Sequence, residues 1–232
     1  MKQIQLKHEF ENEYFINEAY KALRTNVQFC GTDVKVVAFT SCGPNEGKTT
    51  ICVELSKAFA DAGKKILLID ADMRKSVMVS RYTEEVGVLG LSQLLSGMAR
   101  VEDVKYGTTD GFDVIFSGKQ PPNPVELLGS SAFRDFVERQ KPLYDYIFVD
   151  CPPLGIVIDG AVVASVSDSA VIVASVDSAK RSEVVAVKAQ LEKSNCRILG
   201  VVLNHTSRKG KRYRSKYYGK YKTYGAYISE KE

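Results

Sequence analysis

No run of apolar residues in this 232-residue chain approaches the roughly 18–20 that a helix needs to cross a bilayer. The longest candidate, 160–179, is interrupted by Asp168, Asp177 and several serines. The opening segment, 1–13, is charged and lacks the apolar centre of a secretion signal. These absences predict a cytoplasmic protein, attached to a membrane only through a partner. Histidine is scarce: His8 and His205 are too few and too isolated to build a metal cluster. The five cysteines, Cys30, Cys42, Cys52, Cys151 and Cys196, are odd in number and include no CxxC pair. That excludes a disulfide framework and a zinc site, and predicts reduced thiols. No internal repeat is visible.

What is present fits one α/β domain with short terminal extensions, and 44% hydrophobic residues are enough for a sizeable core. Strands are predicted at 35–40, 65–70, 112–116, 146–150, 170–176 and 197–203. Helices are predicted at 17–29, 49–62, 91–95, 124–139 and 183–193, the fourth opening on proline. Several strands are continuous apolar runs (KILLID, YIFVD, AVIVASV), as in a mostly parallel sheet covered by helices on both faces. Such folds bind ligands at the carboxyl ends of their strands. Here those ends carry Asp70, Asp150 and Asn204. The organisation expected is an N-terminal extension with a helix at 1–30, a P-loop domain at 31–207 and a flexible basic tail at 208–232.

The strongest local signal is Ser41-Cys42-Gly43-Pro44-Asn45-Glu46-Gly47-Lys48-Thr49-Thr50, which follows a strand and opens a helix. In that setting backbone N–H groups converge on phosphate oxygens, and the helix N-terminus adds a favourable partial charge. Lys48 is placed to bridge β- and γ-phosphates and the Thr49 hydroxyl to bind Mg²⁺. Cys42 stands where the generic GxxxxGK[ST] loop has its first glycine. Nucleotide with Mg²⁺ also calls for acids, and Mg²⁺ takes one or two carboxylates beside substrate phosphates. Asp70 and Asp150, at two strand ends, fill that part. Asp72, two residues beyond Asp70, is left to accept a proton from an attacking hydroxyl.

The net charge of +4 divides unevenly: residues 208–232 carry +7 and the rest −3. The same segment holds Tyr213, Tyr217, Tyr218, Tyr221, Tyr224 and Tyr227, half of the 12 tyrosines, set among lysine, arginine and glycine. Buried tyrosines would sit among aliphatic residues, and these do not. Basic residues with interleaved aromatics also suit base stacking on nucleic acid. On composition alone that is the favoured reading of the cluster.

Together these segments resemble the bacterial tyrosine kinases of the capsular and exopolysaccharide type, in the stand-alone form of Gram-positive bacteria. The resemblance runs from about residue 18 through the tail. Residues 41–50 are similar to the family's Walker A loop, SxxPxEGK[ST]T, 66–74 (ILLIDADMR) to its Walker A′ and 148–153 (FVDCPP) to its Walker B. Residues 200–204 are similar to its GxVxN strand, which implies that Asn204 reads adenine. Pro121 to Leu128 matches its PPNPxELL stretch, which is also a plausible helix start. Glu18, Lys21 and Arg24 match its E-x-x-R-x-x-R ring-assembly pattern, with lysine in place of the first arginine; lysine lacks the arginine fork.

The resemblance implies an ATP- and Mg²⁺-dependent kinase that autophosphorylates its tail in regulating polysaccharide synthesis. The implied partners are the cytoplasmic segment of a transmembrane chain-length adaptor, an opposing tyrosine phosphatase and further copies of the chain in a ring. Arg74 is expected to organise the A′ loop. Asp159 matches a recurring acid without an assigned part. Two other readings share the loop: a MinD/ParA-type ATPase with no tyrosine transfer, and a nucleotide-gated adaptor holding nucleic acid through the tail. MinD/ParA loops carry a second lysine where this chain has Gly43.

Overall fold

The computed structural model describes residues 2–7 and 14–206; the six tail tyrosines and His8 lie outside the described residues. The strands are β1 (Lys2–Ile4), β2 (Val36–Ser41), β3 (Ile66–Asp70), β4 (Lys105–Thr108), β5 (Asp113–Ile115), β6 (Tyr146–Asp150), β7 (Ser169–Ser175) and β8 (Arg197–Asn204). They form one sheet in the order β1-β4-β5-β3-β6-β2-β7-β8. Every neighbouring pair is parallel except β4 with β5.

Alternation along the central strands builds two cores. Ala38, Leu67, Ile69, Ile147, Val149 and Ile172 face one layer; Val37, Phe39, Leu68, Phe148, Val171 and Val173 face the other. The first layer is covered by α4 (Leu91–Leu95), α5 (Val101–Val104), α6 (Pro124–Leu128), α7 (Ser131–Gln140), α8 (Asp159–Ala164) and α9 (Arg181–Lys193). The second is covered by α1 (Tyr14–Gln28), α2 (Lys48–Ala60) and α3 (Met78–Tyr82). Burial on both faces explains why these strands read as unbroken apolar runs. Among the described residues no helix is long and apolar enough to cross a membrane.

The predicted helix over 124–139 is two helices. The Ser130 hydroxyl donates to the Leu127 carbonyl at 2.6 Å and accepts from Phe133 N at 3.4 Å, closing α6 and capping α7. β1 and β4, absent from the sequence reading, are short and lie at the sheet's margin. β1 is set there by its pairing with β4 and by ion pairs from Lys2 to Glu85 and Lys7 to Glu84.

The entry to β2 is fixed from a distance. Asp168 Oδ2 accepts from the Lys35 and Val36 amides at 3.0 and 2.8 Å, and Oδ1 from Lys141 Nζ at 3.0 Å. Asp168→Ala is therefore expected to cost about 2–3 kcal/mol of stability, given charge-assisted bonds on a partly exposed group. Denaturant unfolding checks this. Nucleotide affinity, which depends on the opposite end of β2, should not change.

Candidate active site

Between β2 and α2 the chain makes a loop that needs two left-handed residues, Asn45 at φ 58° and Gly47 at φ 87°. Asparagine tolerates this conformation and glycine adopts it freely. At Gly47 a Cβ would also fall 2.0 Å from Asn204 Nδ2, so two constraints meet on one residue. Cys42 is outside the left-handed region and packs into the core, which explains why glycine is not required there. The buried Glu46 carboxylate turns back on the loop: Oε2 accepts from the Cys42 and Gly43 amides at 2.8 and 3.1 Å. The 13-residue α2 has no side-chain cap at Gly47, leaving its first amides for a ligand. Lys48, its first residue, is only 7% exposed.

Sheet register then brings the acids together. β3 and β6 pair so that Asp70 lies opposite Asp150. The Thr49 hydroxyl donates to Asp150 Oδ2 at 2.6 Å, and Asp150 Oδ1 is buried with no hydrogen-bond partner among the described residues. Asp70 is more engaged than its sequence position foretold. It accepts from Asp72 N at 3.1 Å, from Ser117 N at 3.3 Å and from the Ser76 hydroxyl. Asp72 is less buried, and its Oδ1 accepts from the amides of Arg74 and Lys75 at 3.3 and 2.9 Å.

Burial, reinforced by the charge of Asp150, pushes the Asp70 carboxyl up to about 8. Burial pushes Asp150 up to about 6 against the opposing pull of Lys48 and Thr49.

The residues present fit a nucleotide with Mg²⁺. A threonine hydroxyl and an unpartnered buried carboxylate oxygen are hard oxygen donors. Among the described residues no three His, Cys, Asp or Glu side chains form a metal cluster.

A pH prediction follows with a definite sign. Carboxyls whose folded values lie above their unfolded value near 4 cost stability once ionised. In metal-free protein stability therefore declines as pH rises from about 4 through about 8, as the cost grows. A bound cation offsets the cost, so ADP with Mg²⁺ should raise Tm more at pH 8 than at pH 5. Equal shifts at both values would contradict it.

Asn204, at the end of β8, lies against the loop, its Nδ2 donating to the Glu46 carbonyl at 3.1 Å. Glu18 and Lys21 are exposed on α1 and pair with each other at 2.7 Å, away from these acids in the chain. Arg24 instead donates to the Ala58 carbonyl at 2.7 Å and ties α1 to α2. Arg74 reaches Asp159, with Nε to Oδ1 at 2.8 Å. Ser76 and Ser117 were missed by sequence reasoning, because a loop serine bonding an acid carries no periodic signal.

A family described as an AAA domain matches residues 34–193. Over 209 residues the chain is 40% identical to the tyrosine-protein kinase CpsD of Streptococcus agalactiae, covering 90% of this chain and 89% of that one. The chain belongs to the bacterial tyrosine-protein kinase family. Solved structures agree with that membership. The chimerical protein CapA2B2 matches with a TM-score of 0.79 at 30% identity, over 88% of this chain and 93% of that one. The kinase domain of the Escherichia coli tyrosine kinase ETK matches at 0.76 and 31%, over 85% and 82%. The cell division ATPase MinD of Pyrococcus furiosus is a weaker match on every count, at 0.64 and 26%, over 76% and 74%. The MinD/ParA reading is accordingly not favoured.

Proposed function

We propose that this kinase-family chain transfers the γ-phosphoryl group of ATP to tyrosine hydroxyls, foremost those between Tyr213 and Tyr227 of its own tail, and so regulates capsular or exopolysaccharide synthesis and export. The observation that carries the reading is the convergence of an uncapped helix N-terminus, the Thr49–Asp150 pair and Asp70, with Asp72 two residues away. Amides of residues 45–50 orient the phosphates and the Lys48 ammonium offsets their charge. Bound Mg²⁺ neutralises phosphate oxygens, and Thr49, Asp70 and Asp150 would hold it. Asp72 accepts the tyrosine proton as the tyrosine O–P bond forms and the bond from γ-phosphorus to the bridging oxygen breaks, leaving ADP. Asn204 reads the adenine.

The same reading assigns partners: a transmembrane chain-length adaptor that recruits the chain to the inner face of the membrane, an opposing phosphatase, and further copies in a ring through Glu18, Lys21 and Arg24. Nucleic acid is not among them. Incubation of purified protein with ATP and Mg²⁺, followed by mass spectrometry of the tail, tests it. Phosphate on tail tyrosines is expected, and none on folded, nucleotide-binding protein would overturn the reading.

Transfer is expected to run between subunits, because a +7 tail is drawn to a body of −3. Each phosphate adds about −1.5 to −2, so roughly four of them cancel the tail's charge and release it. Mixing Lys48→Met full-length chain with active chain ending at residue 207 decides this. Label on the Lys48→Met tail is the expected result, and an unlabelled tail would show transfer confined to one chain.

A further inference from the structure

We propose that Asp159 is a positioning residue that holds Asp72 through Arg74; this rests on Asp72 being the proton acceptor. Asp159 opens α8 and is 1% exposed. A carboxylate buried that deeply needs a partner. Capping α8 does not supply one, since that helix has no side-chain cap and its N-cap is Ile158. Among the described residues Asp159 accepts from Arg74 Nε through Oδ1 at 2.8 Å, and its Oδ2 has no partner. Glu126, in the PPNPVELL stretch, and Asp72 add negative charge around the same guanidinium.

Arg74 is thereby held at both ends. Its side chain is anchored on α8, while its own amide and that of Lys75 grip Asp72 Oδ1 at 3.3 and 2.9 Å. Among the described residues the Asp72 carboxylate is thus held through one oxygen, leaving Oδ2 to take the proton. The anchor is itself rigid. The Thr40 hydroxyl donates to the Pro152 carbonyl at 2.9 Å and accepts from Leu154 N at 3.0 Å, bracing the segment between β6 and α8. Gly160 fits closely over Thr40, where a Cβ would lie 3.1 Å from its hydroxyl. The chain of contact runs from the β2 scaffold through α8 and Arg74 to Asp72. A guanidinium is required because its planar nitrogens keep a fixed geometry that an ammonium does not.

The test uses full-length Asp159→Asn, Arg74→Gln, Arg74→Lys and the Asp159→Asn/Arg74→Gln double variant. Asp159→Asn is expected to lower the phosphotyrosine rate constant by roughly tenfold to a hundredfold, with affinity for ADP and Mg²⁺ held within about twofold. The double variant should be no slower than the slower single one, and Arg74→Lys should not restore the rate. Asp159→Asn should also speed trypsin cleavage after Arg74, a readout independent of transfer. If Asp159→Asn melts below the assay temperature, Arg74→Gln, at a half-exposed side chain, carries the rate and affinity measurements, with trypsin cleavage read after Lys75.

An unchanged rate, a parallel loss of nucleotide affinity, additive effects in the double variant or unchanged cleavage would overturn the proposal. Failure of the underlying reading looks different: wild-type protein would make no phosphotyrosine, or Asp72→Asn would keep the full rate, whatever the cleavage assay shows.

Discussion

Lys48→Met is expected to abolish tyrosine phosphorylation, by about three orders of magnitude or more, while the protein stays folded and keeps its sheet. Phosphoryl transfer relies on positioning and electrostatic stabilisation, and removing one fixed cation from such a site has effects of that size. The structure adds a reason to choose methionine. Lys48 is 7% exposed and starts α2, so a short substitute would leave a void in a packed place. Methionine has nearly the length of lysine, is flexible and is neutral. The variant thus removes charge with little change in volume. It also removes the ammonium that draws Asp150 downward, so that carboxyl should hold its proton to higher pH in metal-free protein. Immunoblotting or mass spectrometry reads phosphotyrosine, and a thermal melt verifies the fold. Undiminished phosphorylation in a folded Lys48→Met protein would remove this loop from the chemistry.

Much of this site was legible before any coordinates. Continuous apolar runs marked β3 and β6 because both of their faces are buried, and each run ended on the acid that the structure places at the sheet's carboxyl edge. The loop signature was legible because its glycine and asparagine meet backbone requirements that few residues satisfy. What pairs with what was not legible. β3 and β6 are neighbours through non-local register, and so are Arg74 and Asp159, 85 residues apart. Propensity also could not see Ser130, whose single hydroxyl divides one predicted helix into two. Glu46 and Lys48 are polar residues of a loop, yet both are buried, because the loop folds inward on its own amides. β1 and β4 were invisible for a related reason: short marginal strands owe their order to neighbours rather than to their own pattern.

Asp72→Asn is expected to slow phosphotyrosine formation by roughly 10² to 10⁴, the range for loss of a general base, while leaving affinity for ADP and Mg²⁺ nearly intact. Asparagine is isosteric, and its carbonyl oxygen can still accept from the Arg74 and Lys75 amides, so the loop geometry survives. The capacity to take a proton does not. Asp70→Asn should behave differently. Asp70 is fully enclosed by the Asp72 amide, the Ser117 amide and the Ser76 hydroxyl, all donors. An amide NH₂ in that setting points a donor at donors, so stability and nucleotide affinity should fall together. Isothermal titration with ADP and Mg²⁺, set beside single-turnover phosphorylation, separates the two acids. Equal binding losses in both variants would make Asp72 a second metal ligand rather than a base. A full rate in Asp72→Asn would leave the tyrosine proton to solvent or to the phosphate itself.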